Sequence, residues 1–136
     1  MKWNSLFCLI CFLGFWTVLP AQDQELKLRI VDLENQATVV DHPGSSSSTT
    51  DYDFPVFVNG EEVGMHFKDL YMILIRHDLK AAAPDLYMRV ELIDMNDQST
   101  MADIARYMRF TGRTEAGNFS MQVKDINVLE IVRKGY

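Results

Sequence analysis

Three histidines are the first side chains in this sequence that suggest metal or acid–base chemistry. His66 and His77 would share one face of a continuous helix, but about 16 Å apart along its axis. That separation is too large for one metal ion, whose ligand bonds are about 2 Å long. His42 lies beside a run of serines. The sequence therefore predicts surface or capping histidines and no metal site.

Carboxylates offer a second possibility at the stretch DMND, residues 94–97. Asp94, Asn96 and Asp97 superficially resemble a calcium loop, but the glycine and the distal glutamate that such a loop requires are missing. The stretch is predicted to be a strand-to-helix turn. An enzyme that used Asp94, Asp97 and His77 is the only catalytic hypothesis that the sequence offers, and it has little support.

Serines and known catalytic motifs add nothing to that hypothesis. The stretch HPGSSSSTTD, residues 42–51, has no neighbouring acid–base group in a rigid turn, so a solvated tether is predicted there. The sequence contains no glycine-rich phosphate loop, no Gly-x-Ser-x-Gly and no His-Glu-x-x-His. We predict no enzyme, no catalytic residue, no metal and no cofactor.

Charge and cysteine content exclude further classes. The formal net charge is −6, which argues against nucleic acid as a partner because phosphate binding needs a basic surface. Both cysteines, Cys8 and Cys11, lie in an apolar N-terminal stretch. Residues 22–136 therefore contain no disulfide, no thiolate metal site and no cysteine nucleophile.

The N-terminal stretch itself predicts export. Lys2 precedes an uncharged run from Leu6 to Leu19, roughly 21 Å of helix, and Pro20 and Ala21 follow it. This layout is typical of a signal peptide that is cleaved after Ala21. The alternative is a membrane anchor that is retained, because residues 3–20 are barely long enough to span a bilayer. In either case the remainder leaves the cytoplasm, and a bacterial periplasm is predicted.

Periodicity in the remaining chain predicts both strands and helices. Residues 25–34 and 86–94 alternate as half-buried strands, and Asn59-Gly60 predicts a tight hairpin turn. Residues 67–80 and 99–110 have apolar residues at helical spacing. In the first of these segments, the apolar centre YMILI also fits a buried strand. Thr100 and Asp103 have the spacing of a capping box for the second.

The last two segments close the predicted domain. Residues 119–126 alternate as a strand, and residues 127–134 fit either a strand or a short helix. We therefore predict an α+β, two-layer domain: a mixed β-sheet with two helices packed on one face. The predicted organisation is a signal peptide or membrane anchor (1–21), an extended segment (22–41), a Ser-rich flexible linker (42–52) and the α+β periplasmic domain (53–136).

In its order of elements the chain resembles the ExbD/TolR family of envelope energy-transduction proteins. The segments that carry the resemblance are the apolar N-terminal run, QELKLRIVDLENQ, the polar tether, PVFVNGEEVGMHFKDLYMIL and VELIDMNDQSTMADIARYM. The resemblance implies a dimerising periplasmic domain that engages an envelope protein or peptidoglycan in a transport complex. Residues 6–19 lack the acidic residue that members of the family carry in their membrane helix. The chain would therefore have the periplasmic module without the ion-conducting step.

The functional hypothesis that follows is a non-enzymatic envelope interaction module. It would bind its partner by edge-strand addition, helix docking or both, with the membrane reached through residues 1–21 if they are not cleaved. The alternative is a freestanding secreted binding or inhibitor domain. The strand ELKLRIVDL is predicted to pair with a sheet edge, its own or a partner's. Its candidate partner-binding residues are Leu26, Leu28, Ile30, Val31 and Leu33.

Overall fold

One antiparallel sheet of ten strands makes up the part of the protein that the structure describes. The computed structural model describes residues 25–133. Single 3₁₀ turns, Phe67–Asp69 and Val123–Asp125, precede the fifth and the last strand. The strands are β1 (Leu26–Asp32), β2 (Ala37–Ser45), β3 (Phe54–Val58), β4 (Glu61–Met65), β5 (Leu70–Ile75), β6 (Tyr87–Asp94), β7 (Ser99–Ala105), β8 (Arg109–Thr114), β9 (Gly117–Gln122) and β10 (Ile126–Arg133).

Across the sheet the strands follow the order β4-β3-β7-β6-β5-β10-β1-β2-β8-β9. The sheet curls into a half-barrel whose inner face is the hydrophobic core. The alternation along β6 shows how this face forms, because Met88, Val90 and Leu92 are buried while the residues between them are half-exposed. β4 and β9 are the edge strands.

The predicted α+β fold with two helices is wrong. Residues 67–80 contain one 3₁₀ turn and β5, which pairs with β6 on one side and β10 on the other. A register shift between Leu70 and Met72 breaks the two-residue alternation of β5, so its apolar residues imitate helical spacing. The β-branched Ile73 and Ile75 favour a strand, which agrees with the alternative interpretation of YMILI.

Residues 99–110 form no helix either. They contain β7, a turn and the start of β8, and all seven residues of β7 pair with β6. Ala102 and Ile104 are buried on the inner face, and Asp103 lies on the outer face opposite Arg89, so Thr100 and Asp103 form no capping box. Long-range pairing overrides the modest helix propensity of alanine and methionine here.

The predicted linker, residues 42–52, also needs correction at its beginning. Residues 42–45 are the end of β2, and Ser45 is buried. Its Oγ donates a hydrogen bond to the carbonyl of Asp53 (2.7 Å) and accepts one from the N–H of Ser47 (3.2 Å). Serine hydroxyls order this stretch because they bond to nearby backbone groups. Of the predicted extended segment, residues 22–41, the described part is not separate from the domain, since β1 and β2 belong to the same sheet as the other strands.

Several local predictions are confirmed. Asn59 and Gly60 have φ of 52° and 84° and join β3 to β4 in a hairpin, as the two positive angles of a tight turn require. β1 and β6 lie where alternation predicted strands, and residues 127–133 belong to a strand and not to a short helix. The predicted strand at 119–126 is interrupted, since β9 ends at Gln122 and a 3₁₀ turn leads into β10.

The predicted signal peptide or anchor, residues 1–21, lies outside the described residues. Within residues 25–133, the structure contains no helix with the length and apolarity needed to cross a membrane.

Three phenylalanines join distant parts of the sheet. Phe54 of β3 lies 5.3 Å, between ring centroids, from both Phe67 and Phe110 of β8, and the last two are 6.0 Å apart. β3 and β8 are the second and ninth strands across the sheet. The three rings, which we call the phenylalanine cluster, are buried and hold the curl of the sheet together.

Replacing Phe110 with alanine should therefore destabilise the whole domain. We expect a loss of about 3–5 kcal/mol in the free energy of unfolding, because the change leaves a large buried cavity. Chemical denaturation of the two proteins measures it. Tyr107→Ala is the control, since Tyr107 is 58% exposed and its loss should cost less than about 0.5 kcal/mol. Equal losses for both variants would contradict the role of the phenylalanine cluster.

Candidate functional site

An open cleft lies between the β3–β4 hairpin and the strands β5, β6 and β7. Its volume is about 530 Å³, within the range of sites that hold small molecules or side chains of a partner. The residues that line it are Val58, Val63, Met65, Lys68, Asp69, Leu70, Leu92, Met95 and Thr100, with Asp94, Asn96 and Gln98 from the β6–β7 turn. We call it the hairpin cleft.

The hairpin cleft exists because β3 and β4 are only loosely joined to the rest of the sheet. β3 pairs with β4 over five residues, but with β7 through a single pair, Phe57 and Asp103. Beyond that pair the hairpin diverges from β7. Val58, the last residue of β3, therefore lines the opening and packs only partly against the core.

Apolar side chains form the floor and both walls of the cleft. Leu70 and Leu92 are buried beneath it, and Met65 packs against the core. Val63 on the hairpin and Met95 on the β6–β7 turn are 40% and 53% exposed. Exposed apolar groups beside a concave surface are typical of a binding site, because a ligand that covers them removes apolar area from water.

The turn that carries Met95 is held by the aspartate before it. Oδ1 of Asp94 accepts hydrogen bonds from the N–H groups of Asn96 (2.8 Å) and Gln98 (3.0 Å), and Asp97 has a φ of 67°. DMND is therefore a turn between two strands and not the predicted strand-to-helix turn. Its carboxylate positions the backbone and leaves Met95 at the rim of the cleft.

On the outer face of the sheet, where β3 pairs with β7, Arg89 and Asp103 form a half-buried ion pair. Nε of Arg89 lies 2.8 Å from Oδ1 of Asp103, in a geometry that does not satisfy a hydrogen bond for either atom. Next to them Phe57 packs edge-to-face on Tyr87, with ring centroids 5.2 Å apart. The outer face of the β3–β7 junction is thus held by one ion pair and one aromatic pair, and the hairpin cleft opens on the inner face.

The predicted partner-binding residues of β1 lie elsewhere. β1 pairs with β10 on one side and with β2 on the other, so both of its edges are occupied by strands of its own chain. Leu28 and Ile30 are core residues, whereas Leu33 is exposed in the turn after the strand. Leu26 and Val31 are partly buried. Of the two predicted alternatives, pairing with its own sheet or with a partner's, the structure shows β1 paired within its own sheet.

The structure does not bring the residues of the catalytic hypothesis together. Asp94 pairs with Leu70 at one end of β5, and His77 follows Ile75 at the other end. The five residue steps from Leu70 to Ile75 separate these two ends by about 17 Å. Nε2 of His77 lies 2.7 Å from the carbonyl oxygen of Ile126, an interaction between the segment after β5 and the start of β10.

The remaining histidines are also apart. His66 is the residue before the first 3₁₀ turn, and His42 lies in a bulge of β2 with a φ of 52°. In the described part of the chain, no group of three or more histidine, cysteine, aspartate or glutamate side chains is placed to hold a metal ion.

Sequence reasoning missed the residues of the hairpin cleft. One signal was present: Met95 is an apolar residue inside an otherwise polar turn, where nothing in a short loop would bury it. Val63 and Met65 alternate on β4 in register with β3, but only the divergence of the hairpin from β7 exposes Val63. That divergence has no local sequence signature.

Comparison with known proteins gives no relative, since no protein-family model and no curated protein matches this chain.

Two pKa values are shifted beside His77: that of Arg76 is raised and that of Asp78 is lowered. The guanidinium of Arg76 donates two hydrogen bonds to the carboxylate of Asp78, at 3.0 and 2.8 Å, and a third to Glu91 of β6 at 3.1 Å. The hydrogen bonds from Arg76 lower the pKa of Asp78 below its ordinary value. Arg76 thereby connects the start of the loop between β5 and β6, residues 76–86, to the sheet.

Asp78→Asn should therefore reduce thermal stability only where Asp78 is ionised. Because the folded protein has the lower pKa, the stabilisation is complete above the unfolded value of about 3.9 and is lost as the pH falls through the folded pKa. The difference in Tm between wild type and variant should be largest near pH 7 and should shrink as the pH falls below the unfolded pKa of about 3.9. Asp85→Asn, an exposed aspartate of the same segment, is the control. A difference that grows in acid would contradict the assignment.

Proposed function

We propose that this protein is a non-enzymatic binding module of the bacterial envelope, and that it holds apolar side chains of an extended polypeptide segment in the hairpin cleft. One observation carries the proposal: Val63 and Met95, on opposite walls of the same cleft, expose apolar surface above a buried apolar floor. A ligand that fills the cleft covers both side chains at once.

Chemistry at the rim supports a polypeptide as the ligand. Asn96 and Gln98 carry amides and Thr100 a hydroxyl, groups that both donate and accept hydrogen bonds. The backbone of an extended segment presents alternating N–H and C=O groups that such side chains can satisfy. The apolar floor would select the side chains, and the rim would hold the backbone.

The free energy available from the exposed apolar side chains of the cleft favours a weak and reversible interaction. Complete burial of a valine or methionine side chain contributes about 1.5–3 kcal/mol. Two such side chains together contribute about 3–6 kcal/mol, which is comparable with the lower end of the cost of immobilising a ligand, so further contacts to the rim are needed for binding. Dissociation constants in the range of about 0.1–10 mM are expected for a short isolated peptide, with tighter binding where a longer partner adds contacts.

A binding role fits the cleft better than catalysis because its carboxylates are not arranged as a reacting pair. Asp94 uses its Oδ1 to hold the turn of its own backbone. Lys68 and Asp69 belong to the 3₁₀ turn at the rim. Val63 and Met95, the exposed apolar side chains of the cleft, suit contact with a ligand and not proton transfer.

The envelope setting is proposed from the N-terminal sequence. The proposal does not depend on the ExbD/TolR resemblance, whose order of elements included helices at 67–80 and 99–110 that are strands here. The proposal is compatible with both predictions for residues 1–21: a membrane anchor that is retained, or a signal peptide whose cleavage releases the domain.

Export is tested by fractionating a Gram-negative host that expresses the full chain, followed by N-terminal sequencing. Cleavage predicts a soluble periplasmic protein that begins at Gln22, and a retained anchor predicts the full-length chain in the inner membrane fraction. Either result supports the envelope setting. A full-length chain in the cytosolic fraction contradicts it.

The hairpin cleft is tested with the capped tripeptide acetyl-Leu-Val-Leu-amide and methyl NMR spectra of the full chain. We expect chemical-shift changes concentrated at Val58, Val63, Met65 and Met95. Val63→Glu and Met95→Glu should each weaken binding by at least about tenfold, because a charge at a wall removes the apolar contact of about 1.5 kcal/mol.

Val39→Glu is the matched control for these variants. Val39 is 50% exposed on β2, outside the cleft, so the same change there should leave binding unaltered. Shift changes spread over the whole surface, or equal weakening by Val39→Glu, would contradict the proposed function.

A further inference from the structure

The two edge strands of the sheet differ in how well they are protected from pairing with another chain. β4 carries the exposed Glu61 and Glu62, and charged side chains at an edge discourage further strands. β9, Gly117–Gln122, has no charged residue in its sequence GNFSMQ. Its outer edge is therefore the less protected of the two, at the end of the sheet opposite the hairpin cleft.

Two arginines lie on the strand next to this edge. Arg109 and Arg113 of β8 are exposed and pair with Gln122 and Asn118 of β9. Nε of Arg109 donates a hydrogen bond to Oγ of Ser120 at 3.0 Å, so the guanidinium already extends over β9 towards the free edge. Glu115 in the turn is the one acidic residue of the hairpin, so residues 109–122 keep a formal charge of +1 in an otherwise acidic chain.

Arg113 has no carboxylate partner within residues 25–133. Its partner across the β2–β8 pair is Asp41, but Oδ1 of Asp41 lies 3.3 Å from Nζ of Lys27 instead. Arg113 lines a shallow depression of about 600 Å³ together with His42 and Asn118. His42 follows Asp41 in the bulge of β2, and its positive φ is a strained conformation for a residue before proline.

The inner face of β9 is apolar. Phe119 and Met121 alternate with the polar Asn118 and Ser120, and both pack against the core while remaining partly exposed. A strand beside β9 would place its own apolar side chains on these two residues. Its side chains of the opposite face would project on the same side of the sheet as Arg109 and Arg113. β8 would lie two strand spacings away, about 10 Å, a gap that a long arginine and a glutamate side chain can bridge together across β9.

From this arrangement we propose that β9 accepts an eleventh strand from a partner protein, an extended segment in which acidic and apolar residues alternate. Backbone hydrogen bonds along the edge hold the segment, Phe119 and Met121 contact its apolar side, and Arg109 and Arg113 bind its carboxylates. This edge and the hairpin cleft share no lining residue, so either site can fail its test without affecting the other.

The test uses a fluorescein-labelled, capped decapeptide of alternating glutamate and valine, titrated with the full chain and followed by fluorescence anisotropy. We expect saturable binding that weakens as salt is raised, because the charge pairs are exposed. A capped decapeptide with five glutamates followed by five valines has the same charge without the alternation and should bind at least about tenfold more weakly. Amide hydrogen exchange should show new protection in residues 117–122.

Amino-acid substitutions distinguish binding at the β9 edge from nonspecific electrostatic attraction between the peptide and the protein. Arg113→Gln and Arg109→Gln should each reduce affinity about three- to tenfold, whereas Lys80→Gln, which removes one charge from an exposed residue elsewhere, should leave it unchanged. Asn118→Asp places a negative charge on β9 itself and should abolish binding with the fold intact, as thermal unfolding verifies.

The proposal would be overturned by the absence of any preference for the alternating peptide, by protection from exchange outside β9 on binding, or by equal effects of Lys80→Gln and Arg113→Gln on affinity. Concentration-dependent self-association that Asn118→Asp abolishes would also overturn it, because a second copy of the chain would then be the occupant of the edge.

Discussion

The contact between Phe54, Phe67 and Phe110 is the constraint on which the rest of the structure depends. A sheet of ten antiparallel strands has no intrinsic reason to bury one face, because hydrogen bonds between strands fix spacing and register but not curvature. The three rings bring β3 and β8 together although six strands lie between them in the sheet. Ser45 and Asp53 reinforce the same approach with a partly buried hydrogen bond. The curled sheet therefore has a concave inner face, on which the alternating apolar residues of its strands pack into one core.

The sheet is curled but not closed, and both candidate binding surfaces result from this. Closure would have paired β4 with β9 and removed both edges. Instead the β3–β4 hairpin diverges from β7 after one residue pair, which opens the cleft, and β9 keeps an unpaired edge beside two arginines. The cleft exposes apolar side chains and the edge exposes backbone groups, so the two surfaces select ligands by different interactions.

The sequence allowed the strands with strict alternation to be predicted, together with the Asn59-Gly60 turn. Prediction failed where local pattern and long-range pairing disagree. The register shift after Leu70 gave β5 a helical spacing, and the Ala- and Met-containing β7 is a strand because β6 pairs with its whole length. The serines after β2 looked like a flexible tether, since nothing in their sequence shows that Ser45 bonds to Asp53. The hairpin cleft could not be predicted because it is formed by segments about thirty residues apart whose divergence depends on the curl of the sheet.

The position of β1 has a consequence for the order of events during folding. β1 and β10 are neighbours at the centre of the sheet, and the ion pair between Arg29 and Glu130 joins residues 101 positions apart. β1 and β2 can form a hairpin early, but backbone pairing joins them to the strands β3–β7 only through β10, which follows all of these strands in the sequence. Sheets that depend on such distant pairings fold slowly, over milliseconds to seconds. The sheet would therefore remain incomplete, with its two halves unpaired, until β10 has been synthesised.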